Sequence, residues 1–368
     1  GYDRIPKCFG LMDTSALQGI GIGAVQTVPG LSLSGKDVLV GFVDTGIDFA
    51  NPLFRRADGT CRVTAIWDQT QAAYEAGEPN MSVQSGEIDT RPIFGYGRED
   101  PQELLNLAIQ TEQPYQIVPS RDTDGHGTFL ASVAAGNTYM DGDDIFSGVA
   151  PESDIIMVKL KQAKQRLRDF FLIPDGVPCY SEADIILGVK YLINKAMELG
   201  KPLVICLGLG TNQGDHNGNL NLELYLDTVV TLPGICVVGS AGNELGTGGH
   251  FASLSTINLG NQVRNEMEIY VEDENPGFCT EIWGRAPSLY QIAVYSPTGQ
   301  RFDQLFPNRD SSGMITYLYE GTTLYAESVV VENNSGDPFI LLRFEKPAPG
   351  IWRIEVTENY SSFPAGYD

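Results

Sequence analysis

Basic residues are scarce in this chain of 368 residues: 24 lysines and arginines face 47 aspartates and glutamates, a net charge of -23. That balance repels polyanions and argues against nucleic acid or an anionic membrane surface as the main partner. Histidine is scarcer still, with three residues in the whole chain. Six cysteines do not make a disulfide framework at this length, and no CxxC pair points to zinc or redox chemistry. Cys206 and Cys236 sit inside apolar runs and read as buried thiols. No apolar stretch approaches the roughly 18 to 20 residues of a membrane helix, and nothing at the start resembles a signal peptide. The one concentration of positive charge, Lys159, Lys161, Lys164, Arg166 and Arg168, reads as a solvated face, with a dock for an acidic substrate as the alternative.

What is present is enough apolar material, 42% of residues, for a sizeable core. The length implies one large domain with an insertion, or two domains. Four continuous apolar runs, DVLVGFVDTG (37–46), DIIMVKL (154–160), PLVICLGLG (202–210) and GICVVGSAGN (234–243), fit strands buried on both faces of a parallel sheet. Between the second and third, Ile185, Val189, Leu192 and Ala196 recur at helical spacing; Ser181 with Asp184 resembles a capping box, and Gly200 marks the stop. A short helix is expected around PQELLNLAIQ (101–110) in an otherwise polar, loop-like stretch from 70 to 120. After about residue 250 the pattern changes to period-two alternation, as in MEIYVED, LYQIAVYSPTGQ, AESVVVENNSGD, PFILLRFE and GIWRIEV, which predicts an antiparallel β sandwich or jelly roll. The fold class is therefore α/β, a parallel sheet with helices on both faces, over residues 1–250, with a β-rich domain over 251–368.

Three residues stand where such a sheet does chemistry. Asp44 ends an apolar strand before Thr-Gly, at the carboxyl edge where open α/β folds place ligands. His126 lies in DTDGHGTFLASVAAGN, between two glycines at the start of a helix with a small-residue face at Ala131, Ala134 and Ala135. Asn243 ends the last apolar run, where its amide can donate to a developing oxyanion. Asp44 and Asn243 alone read equally as structure, since Asp, Asn and Gly are ordinary turn formers, whereas the Gly-His-Gly-Thr setting that opens a helix favours a functional role for His126. Together they supply an orienter, a base and an oxyanion stabiliser, the parts that acyl transfer by an activated serine requires.

The segments VGFVDTGID, DTDGHGT, SGVAP and SAGN resemble those of the subtilases, and in the same order. The resemblance implies that Asp44 holds the imidazole, His126 is the general base and Asn243 lines the oxyanion hole. Gly208, Leu209 and Gly210 match the family's Ser-Leu-Gly stretch, which pairs with substrate backbone; the first position departs from it, being Gly. YDRIPKCFGLMDTSALQ, IWDQT (66–70), FGYG (94–97), VKLKQAKQRLRDFFLIP (158–174) and GTNQGDHNG (210–218) are similar to the clostridial germination-type Csp proteases, which carry a jelly roll inserted between the oxyanion Asn and the nucleophile. By that resemblance the protein is secreted or spore-associated in an anaerobic Firmicute, and its substrate is a protein such as another protein's propeptide.

One family feature is missing from the sequence. Subtilases carry the nucleophile in a Gly-Thr-Ser-x-Ala turn, and the five Gly-Thr pairs here continue as GTC (59–61), GTF (127–129), GTN (210–212), GTG (246–248) and GTT (321–323). The expectation is a serine endopeptidase whose Ser lies outside this sequence, in a C-terminal remainder. The rival is a pseudoprotease, a binding or signalling protein on the same fold; a carbohydrate- or partner-binding β module is a third reading for 251–368 alone. No cofactor is expected. The acidic loop MDGDD (140–144) is by default a solvated turn, with calcium as the alternative because many relatives bind it nearby.

Overall fold

The computed structural model describes residues 8–11, 33–71, 94–141, 144–243, 249–252, 263–305 and 311–359. In chain order the first part runs β1 (Cys8–Leu11), β2 (Leu39–Asp44), β3 (Val63–Asp68), β4 (Arg98–Pro101), α1 (Gln102–Ala108), α2 (Pro114–Ile117), α3 (His126–Ala135), β5 (Tyr139–Asp141) and β6 (Asp144–Phe146). It continues through β7 (Asp154–Lys159), α4 (Gln165–Phe170), β8 (Tyr180–Ser181), α5 (Glu182–Leu199), β9 (Leu203–Leu207), β10 (Leu209–Gly210), α6 (Asn221–Val229) and β11 (Ile235–Gly239). Six strands make the central sheet in the order β11-β9-β2-β7-β3-β4. The first five are mutually parallel and β4 is antiparallel to β3.

Why the apolar runs lie in the middle is seen in β2, where all six residues are buried. Leu39 and Val43 face one side and pack with Ile185, Val189, Leu192 and Ala196 of α5. Val40 and Phe42 face the other and pack with Leu104 and Leu105 of α1 and Leu130, Ala131 and Ala135 of α3. Each Val, Leu, Ile or Phe among them contributes about 1.5–3 kcal/mol on burial. The layering of helices on both sides of a parallel sheet is thus built by alternation within single strands.

Three expectations need correction. Ser181 is the N-cap of α5 but its side chain makes no capping bond. The carboxylate of Asp184 is instead engaged by the Tyr96 hydroxyl at 2.9 Å and by Lys161. The basic cluster is no solvated face either. Lys159 donates to the Arg121 carbonyl at 2.6 Å, Lys161 pairs with Asp184 and lies 3.9 Å from the Tyr96 ring centre, and Arg168 is buried with its guanidinium on the Pro174 carbonyl at 2.6 Å. Only Lys164 and Arg166 are exposed. Finally, Cys206 is half-buried and Cys236 exposed. Cys236 lies on β11, the outermost strand of the sheet, where Val238 is also 49% exposed.

The second part has eight strands: β12 (Val263–Val271), β13 (Gly277–Trp283), β14 (Leu289–Tyr295), β15 (Arg301–Leu305), β16 (Ser311–Tyr317), β17 (Thr322–Val329), β18 (Phe339–Glu345) and β19 (Gly350–Asn359). They form two antiparallel sheets, β12-β19-β14-β15 and β13-β18-β17-β16. Ile292, Val294 and Trp352 of the first interleave with Leu324, Leu342 and Phe344 of the second, giving the expected sandwich core. This sandwich is fastened to the first part through α4. Phe171 packs with Val329, Phe339 and Leu341, while Arg343 donates from Nε to the Phe170 carbonyl at 2.7 Å and stacks 4.5 Å from the Phe170 ring centre.

Candidate active site

Because β11, β9 and β2 are adjacent and parallel, their carboxyl ends lie side by side. Asp44 is the last residue of β2, Gly208 follows the last residue of β9, and Asn243 lies four residues beyond the end of β11. Ser240, in the turn leading to Asn243, donates its N–H to the Leu207 carbonyl at 3.1 Å and continues the β9 pairing up to that turn. Asn243 itself is exposed.

The sheet edge and the start of α3 meet at Asp44 and His126. His126 Nδ1 lies 2.9 Å from Asp44 Oδ1 and 3.1 Å from Oδ2. Asp44 is 1% exposed and the His126 side chain 12%. Asp44 Oδ1 also accepts the Thr45 N–H at 2.7 Å, so the carboxylate is fixed from its own strand. The approach is possible because residue 127 is Gly. A Cβ there would lie 2.2 Å from the Gly46 carbonyl oxygen and 3.0 Å from Asp44 Oδ1, so any side chain would push the helix off the strand. Gly208 closes the other side: its missing Cβ would stand 2.3 Å from Leu130 Cδ1, 3.2 Å from His126 Cε1 and 3.4 Å from Asp44 Oδ2. The small residue at the departure from Ser-Leu-Gly is thus matched to a Leu130 side chain filling that space.

A fourth residue organises this corner, and sequence reasoning alone gives it no role. Asp122 Oδ2 accepts from the Thr128 N–H at 2.9 Å and the Thr128 hydroxyl at 2.7 Å. Its Oδ1 accepts from the Gly125 N–H at 2.9 Å and the Thr45 hydroxyl at 2.9 Å. Asp122 therefore ties down orphan donors at the α3 N-terminus and joins them to the β2 turn. Thr45 completes the link, since its hydroxyl oxygen accepts the Gly127 N–H at 2.9 Å. Burial works against the Asp122 charge, but the Thr128, Gly125 and Thr45 hydrogen bonds outweigh it and hold the carboxyl below its ordinary value. Its signal is the acidic residue placed six before Thr128 in DTDGHGT. The buried Asp44 charge is felt nearby: burial first, and that charge second, push the Cys206 thiol up to about 11.

Beside this corner runs a short three-stranded sheet, β10-β1-β8. Leu209 and Gly210 pair antiparallel with Leu11 and Gly10, and Cys8 and Phe9 pair antiparallel with Ser181 and Tyr180. The edge expected to receive a peptide backbone thus carries an extended segment of this same chain, flanked on both sides. Of the loop MDGDD, residues 142 and 143 lie outside the described residues. Among the described residues no cluster of three or more His, Cys, Asp or Glu is arranged to hold a metal ion, and no helix is long and apolar enough to cross a membrane.

Comparisons with known proteins bear on the fold and the family. The sequence model of the subtilase family matches residues 35–304. Subtilisin-like protease SBT2.2 of Arabidopsis thaliana is 30% identical over 152 residues, covering 40% of this chain and 17% of that protein. Subtilisin-like protease SBT1.9 of the same plant is 24% identical over 239 residues, covering 61% of this chain and 28% of that protein. The chain thus spans well under a third of the length of either relative. The solved structure of the Clostridium perfringens CspB protease superposes with a TM-score of 0.69 at 24% identity, over 93% of this chain and 64% of that one, and so shares the fold. From the match over residues 35–304, the chain belongs to the subtilase family.

Proposed function

We propose that the full-length protein is a serine endopeptidase that cleaves protein substrates through an acyl-enzyme. His126 takes the proton from the attacking serine and later returns it to the leaving amine; Asp44 fixes the ring through Nδ1 and balances the imidazolium. The side-chain amide of Asn243 donates to the oxyanion. The substrate backbone takes the place of Gly10 and Leu11 along Leu209–Gly210, with Gly208 at the base of the site. The observation that carries this reading is the 2.9 Å contact of His126 Nδ1 with a buried Asp44 carboxylate, beside a strand edge that already holds a peptide.

The serine belongs, on this reading, to a continuation of the chain that packs on β11. Support comes from β11 itself, an apolar strand left with Cys236 and Val238 exposed. Such a face is one that a further helix or strand would cover.

The test is made on the full-length protein. His126→Ala should lose at least about 10³-fold in peptide hydrolysis and retain its far-ultraviolet dichroism. Wild type should take up one fluorophosphonate on a serine. Wild-type turnover in the variant would overturn the roles of Asp44 and His126. Absence of an adduct in wild type would leave the pseudoprotease, a binding or signalling protein on this fold, in its place.

A further inference from the structure

Away from Asp44, the two remaining histidines stand together. The ring centres of His216 and His250 are 4.9 Å apart and their planes are inclined by 54°. Both are exposed, so the contact is not an accident of core packing. His216 lies in the loop after β10 and His250 seven residues beyond Asn243, so the pair joins two segments that are distant in sequence.

The loop holding His216 is built to keep it there. His216 has φ of +59°, in the left-handed region that residues with a Cβ adopt uncommonly. Asp215 Oδ1 accepts the Asn217 N–H at 3.1 Å and its other oxygen accepts from the Asn219 amide. Gly214 N–H donates to Glu281 Oε2 of β13 at 2.9 Å, and Asn334 Nδ2 donates to the Asn219 carbonyl at 2.9 Å. The loop is thus braced internally and against the sandwich, with the negative charges of Asp215 and Glu281 close by.

The ring separation is informative. With metal–nitrogen bonds of about 2.0–2.1 Å and ring centres roughly 1.1 Å further on, two imidazoles on one ion at about 90–110° have centres about 4.5–5.2 Å apart. The observed 4.9 Å falls inside that interval. We propose that His216 and His250 form a two-imidazole site for a divalent transition-metal ion of the zinc, nickel or copper class, which staples the groove loop to the loop that follows Asn243. Imidazole nitrogen is the donor that suits these ions. Since no third ligand joins the pair among the described residues, water fills the other positions, so the ion is exchangeable. The site does not depend on the peptidase reading.

The experiment is a calorimetric titration of the full-length, metal-free protein with Zn²⁺, repeated on His216→Phe and His250→Phe. Phenylalanine retains a stacked ring and removes the nitrogens, which separates coordination from packing. One saturable Zn²⁺ event should weaken at least about tenfold in each variant, because losing one donor of a chelating pair removes the benefit of effective concentration. Zn²⁺ should raise the melting midpoint of wild type and leave both variants unmoved. His126→Ala, used as a control, should bind Zn²⁺ at this site as wild type does. Undiminished Zn²⁺ affinity in either Phe variant, or a wild type with no saturable event, overturns the site.

Discussion

Gly208 lies against Leu130 so closely that a β-carbon on the first would sit 2.3 Å from Cδ1 of the second. Leu130 is buried on α3, the helix that opens with His126, so a side chain at 208 has to displace the imidazole's own helix. Gly208→Ala should cost about 1–3 kcal/mol in stability by overpacking, and Gly208→Val more. In the full-length protein both should reduce kcat/KM by a larger factor than the same change at Gly336 of the sandwich, where a Cβ meets nothing within 4 Å. Equal effects at the two positions, measured with one peptide substrate, would count against the assignment of the groove.

Asp122 gives a prediction with a pH sign. Its carboxyl is held below its ordinary value, so it stabilises the fold above the unfolded-state pKa of about 3.9 and that contribution fades as pH falls toward the lower folded value. Asp122→Asn should be less stable than wild type by about 1 kcal/mol near neutrality, the size of a lost N-terminal cap. The gap between the two melting midpoints should close below about pH 4. A gap constant from pH 3 to pH 7 would assign the bonds to Thr128 and Gly125 no dependence on the charge.

Asp100 titrates in the opposite sense. Burial pushes its carboxyl up to about 6, against the pull of Arg98, whose Nε lies 2.7 Å from Oδ1. The folded state therefore holds the proton more tightly than the unfolded chain. Stability falls as pH rises from about 4 to about 6, then levels. Asp100→Asn does not titrate, so its midpoint relative to wild type should rise across that window and plateau above it. Calorimetric scans of both proteins at matched pH values decide the point; a flat difference refutes it.

Arg343 supports the union of the two parts of the chain. It donates to the Phe170 carbonyl and lies 4.5 Å and 5.1 Å from the ring centres of Phe170 and Tyr325. Arg343→Ala leaves that carbonyl without this partner and should cost about 1–3 kcal/mol. The loss should appear as faster proteolytic nicking around 165–175, with the sandwich's own midpoint little changed. An unaltered digestion pattern would mean that the apolar contacts of Phe171 with Phe339 and Leu341 suffice.

Much of this was legible in the residues. Strands buried on both faces announce themselves as continuous apolar runs, which is why β2, β7, β9 and β11 and the edge holding Asp44 could be placed. The strand β3 was harder: Val63–Asp68 is as long as β2, but Thr64 interrupts its apolar run. In the sandwich β13, β15 and β16 were not anticipated; no residue of β13 is fully buried, so the alternation is weak. The Ser181 and Asp184 pair misled because local spacing carries no information about Tyr96 and Lys161, which are distant in sequence and claim the Asp184 carboxylate. The role of Asp122 is hidden for the same reason: its bonds to Gly125 and Thr128 are local, but the Thr45 hydroxyl that ties them to β2 lies 77 residues away. The pairing of Gly10 and Leu11 with the groove strand has no sequence signature, because backbone hydrogen bonds are indifferent to side chains.

The antiparallel pairing of β12 with β19 brings Val263 opposite Glu358, so the sandwich begins and ends at one place. A guest whose two ends meet can be spliced into a host at a single loop without stretching it, since the host has only a hairpin's width to bridge. The cost of closing so long an excursion is met by the ladder between the guest's own first and last strands. The host sheet is then free to keep the register that brings Asp44 to His126, whatever the guest has become.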